Sequence, residues 1–102
     1  MDMYKRKPSI YKAVQLSMEN IDDVVKEFET TAYSKGSEKP EENWIHVVTW
    51  IGPMLADIGD WIIKDAVGDV RVLSDESFHK LYRKATNEET QAAKEWGYSV
   101  DD

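Results

Sequence analysis

The chain has 102 residues, with 20 acidic against 13 basic groups and a formal net charge of -7. That length fills one hydrophobic core with little to spare for a second, and a body of this sign disfavours generic attachment to nucleic acid through phosphate neutralisation. With no cysteine there is neither a disulfide framework nor a thiolate site, and no apolar run approaches the roughly 20 residues of a membrane-spanning helix, so the expectation is a soluble protein that stays where it is made.

The basic groups gather at the start, where Lys5, Arg6 and Lys7 form a cluster that is either solvated or turned to an acidic partner. From Ile10 to Leu16 apolar and polar residues alternate with the period of a strand, Lys12 placing its first end at the rim and Pro8 suiting the entry to an edge strand. Asn20 reads as a helix cap. Asp22 and Asp23 follow in the first turn, and Ile21, Val24, Val25 and Phe28 recur at helical spacing, so a helix is predicted to about Ala32. Ser34 to Asn43 is polar, contains Gly36 and Pro40, and reads as a surface loop.

Trp44 to Leu73 is the organising stretch: Val, Ile and Trp in short runs, each cut off by Gly, Pro or Asp. A strand is predicted over Trp44 to Ile51 with Trp44, His46, Val48 and Trp50 on one face. Neither face is clearly polar, which favours a central strand covered on both sides over one that presents aromatics to a ligand. Gly52-Pro53 is expected to turn the chain into a short return strand at Met54 to Ala56. Asp57 to Asp60 turns it again, Trp61 to Lys64 and Asp69 to Leu73 pair through Asp65 to Gly68, and loops this short make the sheet antiparallel. At least two of Trp44, Trp50 and Trp61 are expected in the core.

Ser74 can cap a helix from Asp75 to about Lys84 with Phe78, Leu81 and Tyr82 on one face. Thr86 with Glu89 three residues on matches a capping box, which predicts a last helix from Asn87 to Trp96, ended by Gly97. Its apolar face is thin, so it must dock on the domain, dock on another chain, or fray. The fold class expected is α+β: one antiparallel sheet of four or five short strands, one packed helix, a helix after the last strand and a marginal C-terminal helix. Residues 1–84 form the domain and 85–102 an appended tail.

Two blocks resemble a family of small proteins of tailed bacteriophages and prophages. The opening YKRKPSIYKAVQL, with Tyr4, Lys7, Pro8, Ala13 and Gln15, is similar to the family's Tyr-Arg-Lys-Lys-Pro start and Ala-x-Gln strand. The block from Gly59 and Asp60 through Trp61, Ile62, Ile63, Gly68 and Asp69 to Phe78 and Tyr82 resembles its closing segment. The chain departs from the family pattern at Asp65, Val70 and Arg71, and it lacks the cysteine often found in that stretch. The resemblance implies a phage-encoded accessory protein in the host cytoplasm, and it carries no catalytic motif.

The chemistry legible in the residues is that of a binder. His46 and His79 have no cysteine or second histidine at metal-ligand spacing, and Asp57, Asp60, Asp65 and Asp69 read as turn residues, so neither a metal nor another cofactor is expected. No phosphate loop or nucleophile motif can be read. Together with the resemblance, this makes the leading expectation non-catalytic binding to a host protein, through Trp96 and Tyr98 in the tail with Lys5, Arg6 and Lys7, and inhibition of a host enzyme or antiphage defence system. A second reading is a protein that sequesters a nucleotide-like ligand at Trp44, His46 and Trp50. A third is a structural or morphogenetic phage part, and a homodimer is left open.

Overall fold

A computed structural model describes residues 1–4, 11–65 and 68–95. In chain order the elements are β1 (Lys12–Gln15), α1 (Ile21–Glu27), β2 (Thr30–Ser34), a 3-10 turn at Pro40–Glu42, β3 (Trp44–Thr49), β4 (Gly52–Asp57), β5 (Trp61–Lys64), β6 (Val70–Leu73), α2 (Asp75–Leu81) and α3 (Asn87–Glu95). The class is α+β, but the strands form two antiparallel three-stranded sheets, ordered β1-β5-β6 and β2-β3-β4, where one sheet of four or five strands was expected.

The extra strand is β2. Sequence spacing carries the helix to about Ala32, yet α1 ends at Glu27, Phe28 is extended, and Thr30 to Ser34 pair with β3. Thr30, Thr31 and Tyr33 are β-branched or aromatic and fit a pleated surface better than a helix. The same strand takes Ser34 out of the predicted loop, whose remainder holds the 3-10 turn. Asn20 does not cap the helix with its side chain. It folds back instead, accepting from the Ser17 amide at 2.8 Å and donating to the Gln15 carbonyl at 2.8 Å.

The hairpin after β3 also differs. Trp50 and Ile51 form the turn, and Gly52-Pro53 begins β4, where Pro53 opposes Val48 on an edge strand that needs no amide there. Gly52 takes φ of 110°, which a β-carbon would strain. The other predicted turns hold: the Asp57 amide donates to Asp60 Oδ2 at 2.9 Å, and the Asp69 amide to Asp65 Oδ1 at 2.9 Å. The Asp carboxylates thus satisfy backbone donors of the turns that they occupy.

The inner faces of the two sheets meet in one core. Leu16, Ile21, Val24, Ile45, Val47, Ala56 and Ile62 are its buried members, with Val14, Phe28, Val70 and Val72 packed around them. Helix α1 contributes Ile21 and Val24 to this core. Among the described residues, no helix is long and apolar enough to cross a membrane.

Candidate partner-binding groove

The outer face of the first sheet is where aromatic and cationic groups converge. Antiparallel register puts Ala13, Ile63 and Arg71 in one row across it and Gln15, Trp61 and Leu73 in the next. Ile63, in the row between Ala13 and Arg71, is only 1% exposed although it lies outside the shared core cluster. Ser74 starts α2 by accepting from the Ser77 amide at 3.2 Å, as the sequence predicts, and Tyr82 ends it in an extended conformation.

Phe78 lies flat on Trp61, with centroids 3.9 Å apart and planes within 2°. Tyr82 stacks on Phe78 at 5.4 Å, and Tyr11 meets Tyr82 edgewise at 5.2 Å. Such pairs add about 0.5–1.5 kcal/mol each beyond the area that they bury, so the row is a stiff wall. One carboxylate fixes its end: Asp75 Oδ1 accepts from the Trp61 indole at 2.9 Å and from Gln15 Nε2 at 3.3 Å, and lies 3.1 Å from His79 Nε2. Burial pushes the Tyr82 hydroxyl above its usual pKa, with Tyr11 adding to the rise and Arg71 opposing it.

Beside this wall runs a groove of about 860 Å³, bordered by Tyr11, Arg71, Leu81, Arg83 and Lys84. Leu81 is 70% exposed on its rim. Arg83 is held by a two-pronged pair to Glu89, at 2.8 and 2.9 Å, which ties α3 to the end of α2 and keeps the Glu89 carboxyl far below the usual range, at about 2. Thr86 and Glu89 complete the predicted capping box, the Glu89 amide donating to Thr86 Oγ1 at 3.2 Å and the Thr86 amide to Glu89 Oε1 at 3.0 Å.

The residues singled out from sequence lie elsewhere. Trp44 and His46 sit side by side on the outer face of β3, rings 5.0 Å apart and half-buried, while Trp50 is 65% exposed at the hairpin tip. β3 is the central strand of its sheet as expected, but only its Ile45, Val47, Thr49 face is buried. None of Trp44, Trp50 and Trp61 belongs to the core cluster, whose space is filled by Leu, Ile, Val and Ala. Lys5, Arg6, Lys7, Trp96 and Tyr98 lie outside the described residues. Sequence reasoning missed the groove, although its signal was present: Trp61 opens a strand, and Phe78 and Tyr82 follow four apart on one helical face.

Comparison with protein-family models, with curated proteins and with solved structures returns no match.

Proposed function

We propose that this chain is a phage-encoded accessory protein that acts without catalysis, by binding a macromolecule of the infected bacterium and thereby inhibiting a host enzyme or defence system. The observation that carries the reading is the groove over the first sheet: a concave, preformed surface with an aromatic wall, an exposed Leu81 and cationic groups at its border. Interface centres are enriched in aromatic residues and arginine, and a standard complex needs on the order of 800 Å² per partner, which a domain of this size can supply. The similarity of the opening and closing blocks to phage proteins supports the origin.

The volume also falls within the range of small-ligand sites, so sequestration of a nucleotide-like molecule is the second reading, moved from Trp44 and Trp50 to this groove. Ring geometry weighs against it. Phe78 is stacked parallel to both Trp61 and Tyr82, so it is engaged with neighbours rather than offered to a base.

Affinity capture from bacterial lysate separates these readings. The native chain retains a host protein, Leu81→Asp loses it, and Trp50→Ala keeps it. Equal capture by native chain and Leu81→Asp removes the groove from the account, and nucleotide released from the heated protein with no captured partner favours sequestration.

A further inference from the structure

We propose that the groove receives an acidic protein segment, in which carboxylates are interleaved with apolar side chains. This rests on the macromolecule-binding reading and names the chemistry of the partner. The first ground is charge. In a chain of net charge -7, the described residues that line this groove include Arg71, Arg83 and Lys84 and no carboxylate, the nearby Asp75 and Glu89 being engaged by Trp61 and Arg83. Among the described residues, three other clefts each carry acids: Glu27, Glu29 and Asp69 near Trp50; Glu41 and Asp57 beside the 3-10 turn; Asp23 and Glu27 along α1.

Two of the three cations are available. Arg83 is neutralised by Glu89, but neither Arg71 nor Lys84 has an ion-pair partner among the described residues, and both are exposed. Arg71 projects from an edge strand on the same face as Ala13, and Lys84 follows α2, so a segment in the groove would meet cations from two different elements. Repulsion from acids farther away than about 8 Å is screened at physiological salt, and the two nearby carboxylates, Asp75 and Glu89, are already engaged by Trp61 and Arg83.

The second ground is the form of the apolar surface. Phe78 is stacked parallel to both Trp61 and Tyr82, and a ring whose faces are engaged in this way has its edge, the electropositive part of the aromatic quadrupole, left for further contacts. Edges of this kind suit carboxylates. Leu81 and Ala13 supply aliphatic contact.

Fluorescence anisotropy of a labelled glutamate–tyrosine copolymer, titrated with the full chain, tests the assignment. Saturable binding is expected, weakened about tenfold by Arg71→Glu and about tenfold by Lys84→Glu, and unchanged by Trp50→Ala. Circular dichroism of both charge-reversed variants verifies the fold, and Lys84 lies outside any helix or strand. No binding, indifference to both reversals, or equal binding of a lysine–tyrosine copolymer overturns the acidic class while lysate capture still stands for the broader reading. Binding of ATP or oligo-dT with the same sensitivity to Arg71→Glu and Lys84→Glu, in place of the copolymer, overturns both.

Discussion

Asn43 is 1% exposed, and its side chain holds the polar connection between β2 and β3 in place. Its amide group donates to the Ser37 and Lys39 carbonyls at 2.9 Å each, and its oxygen accepts from the Ser37 amide at 3.2 Å. Removing it strands three backbone groups at once, so Asn43→Ala is expected to cost about 2 kcal/mol in urea unfolding. Asp75 is exposed and acts differently, as the acceptor that orients Trp61. Asp75→Ala should lose about 1 kcal/mol and shift the tryptophan emission, whereas Asp75→Asn, which keeps an oxygen for the indole, should restore most of both. Neither role was legible beforehand. In sequence Asn43 is the last residue of a polar loop and Asp75 the first of a helix, and what distinguishes them is a long-range partner that local spacing does not encode.

Elements whose chemistry is local were legible from their own residues. The Thr86 and Glu89 pair predicts the start of α3, and Ser74 that of α2, because a cap is written within four positions. The α1 boundary and β2 were misread because helical spacing of Ile21, Val24, Val25 and Phe28 says nothing of where a chain leaves the helix to pair with β3. The Glu89 carboxylate has the most testable pH signature. Its pKa in the fold lies at about 2 against an ordinary 4.5, chiefly through hydrogen bonds from Arg83 and then from Thr86. A lowered carboxylate pKa contributes stability that is complete above 4.5 and lost as pH falls toward 2. At neutral pH Glu89→Gln should therefore show less helical ellipticity at 222 nm than the native chain, and the difference should close across that acid range. A gap that persists at pH 2 would mean that the charge of Glu89 is not what holds α3.

At the scale of the molecule, two sheets share one interior, with Ile45 from the second and Ile62 from the first both fully buried in it. Ile45→Ala and Ile62→Ala are each expected to cost 2–5 kcal/mol and to leave a single cooperative transition, since neither sheet has a core of its own. Separate melting of the two sheets would contradict that. The short antiparallel strands of the middle third were legible from their Val, Ile and Trp content, but the division into two sheets was not, because it depends on which strand edges meet. The same limit hid the groove, which joins Tyr11 to a strand and a helix some fifty to seventy residues later. Under the proposed function, this concave face, rather than the Trp44 and His46 face, is the one that would meet a host partner. Photo-crosslinking in bacterial cells separates the two faces, with benzoylphenylalanine replacing Leu81 in one variant and Leu55, the β4 residue opposite His46, in the other. One discrete host-protein adduct is expected from position 81 and none from position 55; an adduct from position 55 alone would put the partner on the other face.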